Sequence, residues 1–201
     1  VLMIHNCAVK ISEWCSQSLG GSEEEREVIA YGLEVLLDTL VKAVVILTAG
    51  VITGKPAAFG AVLVILCSLR YWAGGVHCKT GFRCLVVMLG ICFVSVYGAF
   101  LLEKTGESLL WIAAAICYPC MFFFAPGETG KNGYLSVEER RKKKVVSILW
   151  MTGELILIGF LDLLWWKWVL FLPVFIETIS TVPCTMRKEK THEKHKSSEG
   201  N

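Results

Sequence analysis

The chain has 201 residues, of which 54% are hydrophobic, and a mean hydropathy of +0.56. Soluble globular domains contain only about 45–50% apolar residues, so this composition indicates a membrane protein and excludes an ordinary soluble domain. The 20 Lys and Arg residues against 18 Asp and Glu give a formal net charge of +2. Such a balance argues against a nucleic-acid-binding protein, which would present a strongly basic face.

A capping signal near the N-terminus predicts the first helix. Ser22 is followed three residues later by Glu25, which is a capping-box pattern, and acidic residues in the first turn favour the helix dipole. The sequence predicts an amphipathic helix on the membrane surface here, as part of an N-terminal cytoplasmic region of residues 1–34. In the apolar stretch that follows, Asp38 and Lys42 are four residues apart, share a helix face and are expected to pair.

Apolar segments then follow one another along the chain, and a helix needs roughly 20 such residues to cross a bilayer. The four most apolar are residues 35–53, 57–69, 84–102 and 108–125, and two segments with more charge follow at 145–160 and 163–182. The second is short unless Tyr71–Ala73 extends it. We therefore expect an all-α polytopic integral membrane protein with about six hydrophobic segments, four to six of them spanning, and re-entrant segments among the rest are an open alternative.

The distribution of basic residues predicts the orientation, because loops rich in Lys and Arg stay in the cytoplasm. With six crossings, the loop of residues 70–83 and both termini face the cytoplasm, and only Lys55, Lys104 and Lys167 lie outside. Residues 1–186 are expected to form a single membrane-embedded domain. Residues 187–201 contain no apolar side chain to bury and are expected to be a disordered cytoplasmic tail.

The loop between the second and third segments, RYWAGGVHCKTGFRC, combines basic residues with His77 and Cys84. A nearby histidine can take the proton of a cysteine and make it a nucleophile. On a straight helix, a seven-residue spacing separates two residues by about 10.5 Å, too far for a hydrogen bond of about 3 Å. A catalytic pair therefore requires a bend, for which three glycines supply backbone freedom: Gly74, Gly75 and Gly81. If Cys84 begins the third helix, the unpaired amides of the helix end stabilise its thiolate.

Other interpretations of these residues remain open from spacing alone. His77 is also typical of an interfacial histidine, and Cys84 of a thiol that packs between helices. A metal site would need a fourth ligand near His77, Cys78 and Cys84, or near the CYPC motif at 117–120, and no fitting one follows in sequence. We therefore predict no metal and no cofactor, and expect most cysteines to be reduced packing residues.

Several charged residues near the segments invite a functional interpretation because charge inside a membrane is costly. Arg70 either snorkels to the membrane surface or binds a carboxylate or a scissile carbonyl of a substrate. The basic cluster that begins at Arg140 and Arg141 is typical of a topology signal and of contact with anionic lipids, and it could also attract an acidic substrate. The acidic residues under the same suspicion are Glu34, Asp38, Glu154, Asp162 and Glu177.

The chain resembles the accessory gene regulator B (AgrB) family of Gram-positive bacteria in three places. These are the loop motif, the stretch EREVIAYGLEVLLDTL before the first span, and FAPGETGKNG with ERRKKK after the fourth span. The resemblance covers most of residues 23–150. The chain departs from the family where GKNGYL lacks the usual proline and where Cys78 replaces a small residue.

This resemblance implies a membrane-embedded cysteine endopeptidase of the cell membrane, formed by residues 1–186. Such an enzyme cleaves the C-terminal part of a short AgrD precursor, and the remainder is cyclised to a thiolactone or lactone autoinducer for quorum sensing. The resemblance makes Cys84 the nucleophile and His77 the base.

The resemblance also implies supporting residues and partners. Arg70 and Gly75 match family positions that would support the substrate or the oxyanion, and a homodimer is expected. The residues expected to bind the precursor tail are Lys131, Arg140 and Arg141. The alternative function is a non-catalytic membrane peptide exporter or binding protein, in which the loop only binds peptide.

Overall fold

A computed structural model describes residues 10, 11, 13, 23–74, 80–126 and 137–199. Its long helices are α1 (Glu23–Ile52), α2 (Pro56–Ala73), α3 (Gly81–Leu102), α4 (Glu107–Phe124), α5 (Val137–Gly159) and α6 (Leu164–Glu199), with a 3-10 turn at Glu103–Thr105. No β-strand occurs in these ranges. The all-α polytopic fold is therefore confirmed.

Four of these helices, α1 to α4, are long and apolar enough to cross a membrane. The charges of α5 and α6 make them less apolar, with Glu154 in α5 and Lys167 and Glu177 in α6. These four helices agree with the prediction of four to six spanning segments.

The helix α1 joins the capping signal and the first apolar segment into one element. It begins at Glu23, directly after Ser22, which lies outside the described residues. Its 30 residues measure about 45 Å at 1.5 Å per residue, more than the bilayer core of about 30 Å. Most of its apolar side chains, such as Tyr31 at 71% and Val44 at 62%, are exposed on the surface of the bundle. In a bilayer, this surface would face lipid.

The helix α2 includes Tyr71–Ala73, so the extension of the short second segment is confirmed. Pro56 occupies its first turn, where a missing N–H costs nothing. The helix ends at Gly74, whose φ of 69° lies in the left-handed region that glycine tolerates. Its N–H donates to the carbonyl of Arg70 at 3.1 Å.

Side-chain contacts show that successive helices alternate in direction. At one end of the bundle, the Lys55 Nζ lies 4.6 Å from the ring centre of Phe100 and 4.9 Å from that of Trp165. At the same end, the Lys167 Nζ donates to Glu107 Oε1 at 2.6 Å. We call this the Lys55 end. The starts of α2, α4 and α6 and the end of α3 lie at this end.

The opposite end, which we call the Cys84 end, gathers the end of α2 and the start of α3. The Lys144 Nζ of α5 lies 4.5 Å from the ring centre of Phe122 near the end of α4. Arg70 of α2 pairs here with Glu177 of α6. The arrangement agrees with an even number of crossings.

The helix α6 lies at the centre of the bundle, packed against α2, α3, α4 and α5. Val169, Phe171 and Val174 are nearly inaccessible, and so are the polar residues Glu177 and Thr178. The least apolar of the six segments is therefore central, because its polar groups face other helices instead of lipid. The helix extends to Glu199 and so includes residues 187–199, for which composition predicts disorder; the domain boundary at 186 stays a prediction.

Candidate active site

Cys84 lies in the first turn of α3. Thr80 caps this helix, and its Oγ1 accepts a hydrogen bond from the backbone N–H of Arg83 at 3.4 Å. The backbone N–H of Cys84 donates to the carbonyl of Thr80 at 3.2 Å. The thiol therefore stands beside the positive end of a helix, the position that stabilises a thiolate.

The Cys84 thiol is half-buried and reduced. Its Sγ lies 3.9 Å from the thioether sulfur of Met88, one turn further along α3. The side chain also packs against the hydrophobic core. It is thus a partly exposed thiol that contacts the core.

Two other predicted site residues of the loop, His77 and Gly75, lie outside the described residues, as does Lys131. The structure does describe Gly74 and Thr80, the residues on either side of 75–79. Gly74 leaves the helical conformation at φ 69°, and Thr80 is extended at φ −133° and ψ 145°. Because Thr80 is extended, α3 does not continue back beyond Gly81, and residues 74–84 are not one straight helix.

Arg70 lies in the last turn of α2 and is directed into the bundle. Its side chain is 16% exposed, and its Nη1 lies 3.9 Å from Oε2 of Glu177, whose side chain is 2% exposed. A snorkelling arginine would instead extend towards the membrane surface.

A second buried acid contacts the same part of α2. Ser68 donates from its hydroxyl to Oε1 of Glu154 at 2.7 Å, a contact between residues 86 positions apart in the chain. Glu154 is 7% exposed. The last two turns of α2 thus contact one carboxylate from α5 and one from α6.

A third acid, Asp38 of α1, lies against the start of α3. Its Oδ1 is 3.2 Å from the position that a Cβ would occupy on Gly81. The same carboxylate pairs with Lys42, so the predicted pair is confirmed. The absence of a side chain at Gly81 lets this carboxylate approach the first turn of the Cys84 helix.

The basic residues Arg140 and Arg141 are exposed near the start of α5. An apolar groove of about 420 Å³ lies elsewhere, between α4 and α5, and is lined by residues that include Trp111, Tyr118 and Thr152. No group of three His, Cys, Asp or Glu side chains in the described ranges is arranged to hold a metal ion.

Fold and site together define a polytopic α-helical membrane protein with a cysteine at the start of an apolar helix. A family model described as Accessory gene regulator B matches residues 7–181. The chain belongs to this family and thereby to the accessory gene regulator system.

Its relatives include proteins that are named only as AgrB-like. One from Clostridium perfringens strain SM101 is 29% identical over 147 residues, which cover 70% of this chain and 68% of the relative. One from Listeria innocua is 26% identical over 183 residues and 86% of each chain. One from Clostridium beijerinckii is 24% identical over 154 residues, which cover 77% of this chain and 75% of the relative. No solved structure matches the chain.

Proposed function

We propose that the protein is a membrane-embedded cysteine endopeptidase. It cleaves the C-terminal part of a short AgrD-like precursor and supports cyclisation of the remainder to a thiolactone or lactone autoinducer. The observation that carries this proposal is the position of Cys84, a half-buried free thiol in the first turn of an apolar helix. Membership of the accessory gene regulator B family supports it.

The chemistry begins with the Cys84 thiolate, which attacks the scissile carbonyl of the precursor. His77 takes the thiol proton and returns it to the leaving amine, so that a thioester to the enzyme remains. A Cys or Ser side chain of the precursor then attacks this thioester, which closes the ring and frees Cys84. Exchange retains the activation of the acyl group, whereas hydrolysis would lose it, so the site must exclude water.

Recognition of the precursor tail falls to three basic residues. Arg140 and Arg141, both exposed, and Lys131 attract the acidic tail of the precursor. Arg70 and Gly75 support the substrate or the oxyanion. Neutralising Arg140 and Arg141 together would raise KM more than it lowers kcat, and added salt would weaken the effect.

The proposed setting is the cell membrane, with the active-site loop and both termini in the cytoplasm. Basic residues dominate the Cys84 end, whereas Lys55 and Lys167 mark the other, and the positive-inside rule gives the orientation from that asymmetry. The proposed partners are the precursor, the bilayer and a second copy of the chain as a homodimer.

The direct test is co-expression with the cognate precursor and mass spectrometry of the cleaved and cyclic products. Cys84→Ala and His77→Ala should abolish both products. Cys120→Ala is the matched control, because Cys120 is also a half-buried free thiol but lies on α4, and it should process normally. Processing by Cys84→Ala would refute the proposal, and peptide transport that survives loss of both His77 and Cys84 would favour an exporter.

A further inference from the structure

Among the described residues, Glu177 is the most deeply buried charged side chain. The residue is 1% exposed, and its Oε2 lies 3.9 Å from Nη1 of Arg70. Its other oxygen, Oε1, is buried and has no hydrogen-bond partner within the described part of the chain. The carboxylate therefore reaches one cation and leaves an acceptor unsatisfied.

Such an arrangement contributes little to the stability of the bundle by itself. A charge removed from water loses several kcal/mol of hydration, and a buried ion pair often contributes less than well-packed apolar residues of the same volume. Charged residues within membrane bundles are accordingly associated with function. An apolar residue at position 177 would pack at the centre of α6 without this cost.

The surroundings of Glu177 connect it to the site. Arg70 lies in the last turn of α2 and Cys84 in the first turn of α3, so the Arg70–Glu177 pair and the thiol lie at the same end of the bundle. Arg70 has a long side chain that would otherwise extend towards the membrane surface. The carboxylate of Glu177 gives its guanidinium a partner inside the bundle.

We propose that Glu177 is a positioning residue for the reaction, because its carboxylate holds the guanidinium of Arg70 inside the bundle at the level of Cys84. The retained cation stabilises the Cys84 thiolate and the oxyanion of the acyl intermediate. This inference rests on the proposed function. Glu177 acts through Arg70 and touches neither substrate nor the reacting atoms.

Glu154 provides a matched control for Glu177. It is also a buried acid, 7% exposed, and it also contacts the end of α2, but its partner is Ser68 instead of Arg70. Glu154→Gln keeps an oxygen that can accept from Ser68. Any effect common to the loss of a buried carboxylate in this bundle would appear in both variants.

The experiment compares wild type, Glu177→Gln, Glu177→Asp and Glu154→Gln in nanodiscs with the cognate precursor. Single-turnover cleavage gives the rate of the chemical step, and mass spectrometry of the peptide that contains Cys84 gives its rate of alkylation by iodoacetamide, which reports the thiolate. Glu177→Gln should slow cleavage by about 10- to 100-fold, by analogy with the loss of a partner that orients a metal ligand, and should slow alkylation too. Glu177→Asp should recover part of both rates, and Glu154→Gln should keep both.

A double-mutant cycle with Arg70→Gln covers the case in which Glu177→Gln fails to fold. The double variant removes both members of the Arg70–Glu177 ion pair, so neither charge is buried without the other. If Glu177 acts only through Arg70, adding Glu177→Gln to Arg70→Gln should slow cleavage no further. A full additional loss in the double variant would overturn the inference.

Two further outcomes separate this inference from the proposed function. A wild-type cleavage and alkylation rate in Glu177→Gln, with an inactive Cys84→Ala, would refute the positioning role only. Processing by Cys84→Ala would refute the peptidase mechanism, while the alkylation rates would still show whether Glu177 controls the reactivity of Cys84.

Discussion

The tight crossing of α1 and α2 at Gly50 allows a quantitative prediction. A Cβ added at Gly50 would lie 2.9 Å from Cβ of Phe59 and 3.1 Å from Cα of Pro56. Carbon atoms make favourable contact at about 3.5–4.0 Å, so Gly50→Ala requires the two helices to separate by roughly 0.6–1 Å. Small residues at helix crossings in membranes permit this kind of close approach.

Overpacking of this size costs about 1–3 kcal/mol. Alanine is also a better helix former than glycine by up to about 1 kcal/mol, so the two effects must be separated. Gly90→Ala and Gly153→Ala are the controls, because nothing lies within 4 Å of a Cβ at either helical position. The free energy of unfolding of Gly50→Ala should be lower than that of both controls by about 1–3 kcal/mol.

The assay is equilibrium unfolding in mixed micelles of dodecyl maltoside and dodecyl sulfate, followed by tryptophan fluorescence. Gly50 lies near the end of α1, by the α1–α2 connection, whereas Cys84 lies in the first turn of α3 at the opposite end. Cleavage per folded molecule should therefore be unchanged. Equal stability of Gly50→Ala and the two controls would refute the close packing of α1 against α2.

Three further predictions concern the cysteines, the Asp38 pair and the core. In native membranes, N-ethylmaleimide should modify the half-buried Cys84 before the inaccessible Cys92, and the reverse order by mass spectrometry would contradict their placement. Asp38→Leu alone should lower the melting temperature because it leaves the charge of Lys42 unpaired in an apolar helix, whereas the double change of both residues to Leu should restore it; a double variant no better than the single would argue against the pair. Phe59→Ala should lower the free energy of unfolding by about 3–5 kcal/mol in the same micelle assay, since this ring is inaccessible. A loss no larger than that expected for an exposed residue would contradict its burial.

The local features of this fold follow from short stretches of sequence. The spacing of Asp38 and Lys42 predicts their pairing because four residues make about one helical turn, and the structure confirms it. The apolar segments predict all six long helices to within a few residues at most ends, and the second helix includes Tyr71–Ala73 as its length requires. The spacing of His77 and Cys84 means that the two could not pair on a straight helix. The structure ends α2 at Gly74 and has Thr80 extended directly before α3 begins.

The arrangement of these helices depends on contacts that hydropathy does not encode. Composition marks Glu154 and Glu177 as suspicious charges in weakly apolar segments, but it gives no partner for either. Ser68 and Glu154 are 86 residues apart, and no local periodicity links them. Arg70 likewise meets Glu177 only because α2 and α6 pack side by side.

The sequence by itself determined that this is a helical membrane protein, where its helices lie, and that Cys84 and His77 are its candidate catalytic pair. Only the tertiary structure decided that the weakly apolar α6 is the central helix and that its carboxylate at Glu177 faces Arg70 near Cys84. The physical reason is that hydropathy averages a helix over all of its faces. A charge that faces lipid and a charge that faces another helix contribute equally to that average, yet only the second can find a partner.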